Sequence, residues 1–309
     1  MRAHATIREV GLRDGLQLVK SFLATERKIA WCRQEVAAGL AEVEVTSFVP
    51  PSVVPQFADA VEVAQAAVAI DGLTVAALVP NLKGATRGFD AGVHKINFVL
   101  SASEAHNLAN VRRTTAESVA DFGRIIAERD ARGLTIPVVA GIATSFGCTI
   151  QGDVPEAQVL RLVETLARAG SDEIMLADTV GYANPAQVRR IFSSVAKIVD
   201  KPIYAHFHDT RGLGLANVCA AVDAGVTRFD ASIGGLGGCP FAPGASGNID
   251  TEDCAFLLES LGFDTGLDID RLVALRAMVA QWLPGERVGG MIAQAGLPKT
   301  FARAAQAAE

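Results

Sequence analysis

Short runs of β-forming residues recur along the chain, and each is followed by a longer segment whose apolar positions fall three and four residues apart. The runs cover residues 6–10, 41–47, 74–79, 95–100, 136–142, 173–176, 203–207 and 228–233. Segments 25–38, 57–69 and 155–169 carry the helical period, and Gly39 and Gly170 stand where a helix C-cap needs a left-handed residue. A helix between two strands returns the chain to the same edge, so neighbouring strands are predicted to pair in parallel. Eight such units between Thr6 and about Leu261 predict an α/β protein with a single closed (β/α)8 barrel. A doubly wound open sheet is the alternative. Residues 1–262 are read as the catalytic barrel and 263–309 as a C-terminal helical extension with Leu272, Val273, Leu275 and Met278 on one face. That face can cover the barrel or meet a second copy in a homo-oligomer.

Composition narrows the class of ligand. Of 309 residues, 28 are Lys or Arg and 34 Asp or Glu, a formal charge of −6, which offers no general basic field to nucleic acid or to an anionic membrane. An anionic ligand therefore needs local cations. Hydrophobic residues make up 50% and charged residues 20%, the balance of a packed globular protein. No apolar run approaches the roughly 18 residues of a membrane span, and residues 1–10 hold no secretory hydrophobic stretch, so a cytoplasmic location is expected. Five scattered cysteines, never spaced Cys-x-x-Cys, argue against a disulfide framework or a zinc–sulfur site.

In a barrel of this kind chemistry gathers at the C-terminal ends of the strands. There the chain places Arg13-Asp14-Gly15, Glu44 with Ser47, Asp178-Thr179, His206-Phe207-His208-Asp209 and a glycine-rich stretch from Gly234 to Gly247 that includes Cys239. Strand alternation points His206 and His208 the same way, so they can share one metal ion or simply form a hydrogen-bonded polar pair. Asp14 and Asn248 add oxygen ligands, and two imidazoles with such oxygens suit Mg²⁺ or Mn²⁺, with zinc left open. Arg13 forms either an ion pair with Asp14 or a stabiliser of developing negative charge. Glu42 and Glu44 share a face, and an inward carboxylate needs a metal or an Arg beside it. The glycine-rich stretch lacks a phosphate-loop spacing and reads as a mobile lid, on which Cys239 is either inert or a proton-exchanging thiol.

Six ordered motifs then identify a resemblance. Arg13-Asp14-Gly15-Leu16-Gln17, Glu44-Val45-Thr46-Ser47-Phe48-Val49, Pro80-Asn81-Leu82-Lys83-Gly84, Asp178-Thr179-Val180-Gly181, His206-Phe207-His208-Asp209-Thr210 and the stretch from Gly235 to Asn248 resemble the 3-hydroxy-3-methylglutaryl-CoA lyase family of metal-dependent barrel enzymes. The resemblance, from about Ile7 to Gly262, implies cleavage of a 3-hydroxyacyl-CoA to acetyl-CoA and a keto acid. It implies a divalent metal on Asp14, His206, His208 and Asn248, Glu44 supporting that shell, Arg13 on the thioester carbonyl and Cys239 in proton transfer. From the same rim motifs Asp178, His206 and Glu44 join the catalytic set, and Gln17, Ser47 and Thr179 join Arg13 in binding substrate. Departures at Leu12, Leu18, Val19, Met175, Ala177 and Arg211 leave the acyl group open and lead us to expect a less polar pocket. A citramalyl-type or another 3-hydroxy-3-substituted CoA ester would use the same machinery. A Claisen synthase joining acetyl-CoA to a 2-oxo acid is a further alternative, and a non-catalytic binding barrel is the reading from another class.

Overall fold

Each predicted run forms a strand in the computed structural model, which describes residues 2–238 and 247–301. The strands are β1 (Thr6–Glu9), β2 (Glu42–Ser47), β3 (Thr74–Val79), β4 (Lys95–Ser101), β5 (Val138–Ala143), β6 (Glu173–Asp178), β7 (Ile203–Phe207) and β8 (Arg228–Ala231). They pair in parallel in chain order, and β8 returns to β1 from Thr6 opposite Arg228 to Glu9 opposite Ala231. The sheet is thus closed, and the open-sheet alternative falls. Helices α1 (Thr25–Ala37), α2 (Ala60–Val68), α3 (Leu82–Ala91), α4 (Glu104–Val111), α5 (Thr115–Ala131), α6 (Glu156–Arg168), α7 (Pro185–Val195) and α8 (Gly214–Asp223) connect the strands, and α9 (Thr251–Ser260) follows the last one.

Several boundaries differ from the sequence reading for local reasons. The 57–69 helix is split into a 3₁₀ turn at Pro55–Phe57 and α2, because Pro55 fixes a tight turn ahead of the helix. The last strand stops at Ala231, since Gly234 turns the chain with φ of 61°. Strand β6 gains Ala177 and Asp178 by pairing with His206 and Phe207 of β7.

Outward strand residues such as Val43, Val75, Phe98, Ile174, Phe207 and Phe229 pack against Trp31, Phe122, Val163, Phe192 and Leu258 of the helices to make the main core. Inside the barrel Val139, Met175 and Tyr204, with Val99, form a small apolar cluster of their own. Charged and polar side chains fill much of the remaining interior. At its N-terminal end Lys95 pairs with Glu42 and Glu173, and the Tyr204 hydroxyl donates to Glu42. Burial of a charge is tolerable only with such partners.

After α9 the chain forms α10 (Ile269–Trp282), whose Leu272, Leu275 and Val279 are buried while Val273 and Met278 are half-buried. Residues that follow it fold back as a strap before α11 (Ile292–Ala295). Arg276 donates to the carbonyls of Val288 and Gly289, the Gly289 amide donates to Gly234, and Asp253 accepts from the amides of Met291 and Ile292. The extension therefore braces the turn from which the glycine-rich stretch departs.

Candidate active site

Directly after β1, Gly11–Gly15 forms a short π-helical turn in which the carbonyl of Val10 accepts from the amides of Arg13, Asp14 and Gly15. Only glycine fits at its start: a Cβ on Gly11 would stand 2.5 Å from the Glu9 carboxylate and 2.9 Å from the Trp31 ring. The turn brings Arg13 and Asp14 over the barrel mouth. On β7 alternation sends Phe207 into the outer core and His206 inward, and His208, one residue past the strand, bridges to Asn248. Gly237 approaches so closely that a Cβ would lie 2.6 Å from the Asn248 amide, with φ of 132° besides.

The polar groups then interlock. Arg13 donates through Nε to Glu44 and through Nη1 to Asp14 at 2.5 Å. Nε2 of His206 and Nε2 of His208 face each other at 3.1 Å, and His208 Nε2 lies 3.6 Å from Asp14. Asn248 Nδ2 donates to Asp14 at 2.8 Å. Burial alone would push the Asp14 carboxyl up, but Arg13 and the two imidazoles outweigh it and hold the group well below the usual carboxylate range. Burial likewise opposes the charge on Arg13, and Glu44 and Asp14 more than restore it.

This donor set fits a divalent ion. One atom each from Asp14, His206 and His208 lie within 4.8 Å of one another. Donors on adjacent corners of an octahedron of about 2.1 Å radius stand about 3.0 Å apart, close to the 3.1 Å between the imidazole nitrogens. Asn248 Oδ1 is buried without a hydrogen-bond partner, as an unused oxygen ligand would be. His206 Nδ1 is 3.1 Å from Asp230, which can only accept, so the Nε2 lone pair is turned toward the cluster.

Asp178, buried at the end of β6, accepts from the amides of Tyr182 and Ala183 through Oδ1 while Oδ2 has no partner. Burial raises its pKa despite those amides and the nearby imidazoles. Ser47, Thr179 and Gln17 do not join the cluster through any hydrogen bond among the described residues. Ser47 accepts from the Val49 amide and Thr179 from the Thr144 amide, so both shape their own loops, and Gln17 is half-buried. Cys239 lies outside the described residues, as does the glycine-rich stretch from 239 to 246. Of the other thiols, burial pushes Cys32, Cys219 and Cys254 up, in keeping with inert side chains.

The residues behind the expectation of a less polar pocket take different places. Leu18 is 43% exposed after the turn that carries Arg13, and Val19 is buried in the main hydrophobic core. Met175 faces the barrel interior, where its sulfur is 3.3 Å from the Arg8 guanidinium. Arg211 stacks on Tyr182 at 4.6 Å and donates to the carbonyls of Val180 and Gly181, bracing one loop against the next.

Sequence reasoning passed over Arg8, Asn97 and Asp230, all about 1% exposed beneath the cluster. Arg8 donates to both oxygens of Asp230 at 2.8 and 2.9 Å and to Asn97 Oδ1 at 3.0 Å, and Asn97 Nδ2 donates to Glu44 at 2.6 Å. Arg8 and His206 hold the Asp230 carboxyl near a pKa of about 2 against the effect of burial. The available signal was a polar side chain at the inward register of a buried strand, which is costly unless used.

The HMGL-like family profile matches residues 4–279. The chain is 42% identical over 285 residues to the hydroxymethylglutaryl-CoA lyase YngG of Bacillus subtilis, covering 92% of this chain and 93% of that protein. It is 38% identical over 302 residues to the (R)-citramalyl-CoA lyase of Chloroflexus aurantiacus, covering 94% of each. A solved HMG-CoA lyase from Acinetobacter baumannii in complex with coenzyme A and 3-methylmalate superposes with a TM-score of 0.90 at 42% identity, covering 97% of both chains.

Proposed function

The chain belongs to the HMGL-like family, and from that premise we propose that this carbon–carbon lyase cleaves 3-hydroxy-3-methylglutaryl-CoA, or a closely related 3-hydroxyacyl-CoA, into acetyl-CoA and a keto acid. The observation that carries this reading is the juxtaposition of the Asp14, His206 and His208 donors with the Arg13 guanidinium on one barrel rim. Retro-Claisen cleavage needs those two poles, one for the hydroxyl that becomes a carbonyl and one for the thioester that becomes an enolate.

Asp14, His206, His208 and Asn248 would hold a divalent ion, with Mg²⁺ or Mn²⁺ the best match to two imidazoles and hard oxygens. When bound, it would supply Lewis-acid polarisation and lower the pKa of an alcohol beside it. Arg13 faces the thioester oxygen, its side chain oriented by Glu44. Asp178, with one free buried oxygen and a raised pKa, is suited to take the hydroxyl proton. The C2–C3 bond then breaks, its electron pair forms the acetyl-CoA enolate, and the enolate carbon takes a proton. By resemblance that donor is Cys239. Gln17, Ser47 and Thr179 are proposed to contact the acyl-CoA at the rim.

The citramalyl-type ester stays as the second reading because of the 38% identity to a lyase of that name. A panel of 3-hydroxyacyl-CoA thioesters, assayed for acetyl-CoA release with added Mg²⁺ or Mn²⁺, separates the two by kcat/KM. Absence of release from every thioester, with condensation of acetyl-CoA and a 2-oxo acid instead, would replace the lyase reading with the synthase one.

A further inference from the structure

Inside the barrel one guanidinium reaches both poles of the proposed site. Arg8 sits on β1 facing inward, about 1% exposed, with its plane over the Tyr204 ring at 4.6 Å. Nε and Nη2 form a fork on Asp230, Nη1 donates to Asn97 and approaches Glu42 at 3.6 Å, and Nη2 also meets the Met175 sulfur. The directions of the two chains that leave Arg8 are fixed by chemistry. A guanidinium can only donate and an ionised carboxylate can only accept. Asn97 must therefore turn its oxygen to Arg8 and its amide to Glu44, and Glu44 accepts in turn from Arg13. Asp230 accepts from Arg8 and must accept from His206 Nδ1 as well, which leaves the Nε2 lone pair of His206 facing Asp14 and His208.

We propose that Arg8 is a positioning residue with two arms, one setting the His206 ring for the metal through Asp230 and the other setting Arg13 for the thioester through Asn97 and Glu44. The inference rests on the metal reading of Asp14, His206 and His208. Its physical basis is that a buried guanidinium with so many partners has almost no rotational freedom, so it fixes the distance and orientation between groups on β1, β2, β4, β7 and β8. Glu44 or His206 anchored separately would each keep their own freedom. Loss of the Arg8 fork leaves Asp230 buried without its main partner and free to turn, so the His206 ring is no longer held in one orientation.

The test titrates Mn²⁺ into substrate-free protein by calorimetry and measures kcat, KM and Tm on the same samples. Asp230→Asn cuts the first arm and is expected to weaken Mn²⁺ binding by about 10- to 100-fold. Asn97→Leu cuts the second and is expected to leave Mn²⁺ affinity within about twofold while lowering kcat by roughly tenfold, since it loosens an interaction used in the transition state. Arg8→Met should show both losses. If it does not accumulate as folded protein, Arg8→Lys should show them too, because it keeps the charge without the fork. Mn²⁺ affinity equal to wild type in folded Arg8 and Asp230 variants, with only Tm reduced, would overturn the proposal and make the network a structural one. So would an Asn97→Leu variant that loses metal and rate in the same proportion as Asp230→Asn. Wild-type protein that takes up no Mn²⁺ would remove the metal reading and this inference together, a result distinct from binding that the variants leave untouched.

Discussion

Arg13 is held between Glu44 and Asp14, and its planar fork is what lets one side chain meet both carboxylates and still face the barrel mouth. A lysine ammonium is a point charge and cannot repeat that geometry. Arg13→Lys is therefore expected to lose nearly as much kcat/KM as Arg13→Met, on the order of 10² to 10³-fold for an oxyanion-stabilising donor, and a Lys variant within a few-fold of wild type would show that charge alone suffices. Cys239 carries its role by resemblance. Cys239→Ser keeps the shape but raises the pKa of the donor, so kcat should fall far more than KM changes, with Mn²⁺ affinity unaltered. Steady-state kinetics and calorimetry on that variant read both halves, and near wild-type turnover would move the proton donor elsewhere.

Between elements, Glu9 at the end of β1 does the joining. Its carboxylate accepts from the amide of Gly11 in the π-helical turn, from the amide of Ile233 after β8, and from the hydroxyl of Thr251 at the start of α9. Burial pushes its pKa up to about 7 against those three hydrogen bonds, with Asp250 adding to the rise. Glu35 on α1 is raised as well, by burial first and by the charge of Glu9 second. Because the folded state holds this proton above the unfolded value of about 4.3, the contribution to stability is greatest below about pH 4.5. It falls as pH rises through 7 and is flat beyond. Glu9→Gln should remove a pH-dependent loss of roughly 1–3 kcal/mol between pH 5 and 8. Urea unfolding at the two pH values checks this, and an unchanged difference between them would place the proton on another group.

For the whole molecule the notable division is between an apolar shell outside the barrel and a polar column within it. The column runs from Lys95, Glu42 and Glu173 through Arg8 and Asp230 to Arg13, Asp14 and the two histidines. Three of its anchors, Asp14, His206 and His208, come from chain segments that unfolding would separate, so an ion bound there must favour the native state. At 100 times its Kd such an ion adds about 2.7 kcal/mol, which for a chain of this size corresponds to a Tm rise of about 4 °C. Scanning calorimetry with Mn²⁺ should show that rise in wild type and lose it in His208→Ala and Asp14→Ala. A rise of equal size in both variants would mean that the ion binds elsewhere.

The sequence by itself determined a parallel sheet of eight strands alternating with helices, because eight strand runs spaced by helical segments leave the chain few ways to bury its apolar strand faces except between such a sheet and its helices. Most of the rim is legible there too: Arg13, Asp14, Glu44, His206, His208 and Asn248 stand out by residue type and by their place on a strand or in the loop that follows one. Ring closure was decided in three dimensions, where Arg228 to Ala231 pair with Thr6 to Glu9 across more than 200 residues. So was the use of Arg8, Asn97 and Asp230, whose polarity in buried strands is visible in the sequence while their partners are not. A hydrogen bond needs two groups within about 3 Å, and residues 8, 97 and 230 meet that condition only once the barrel has closed around them.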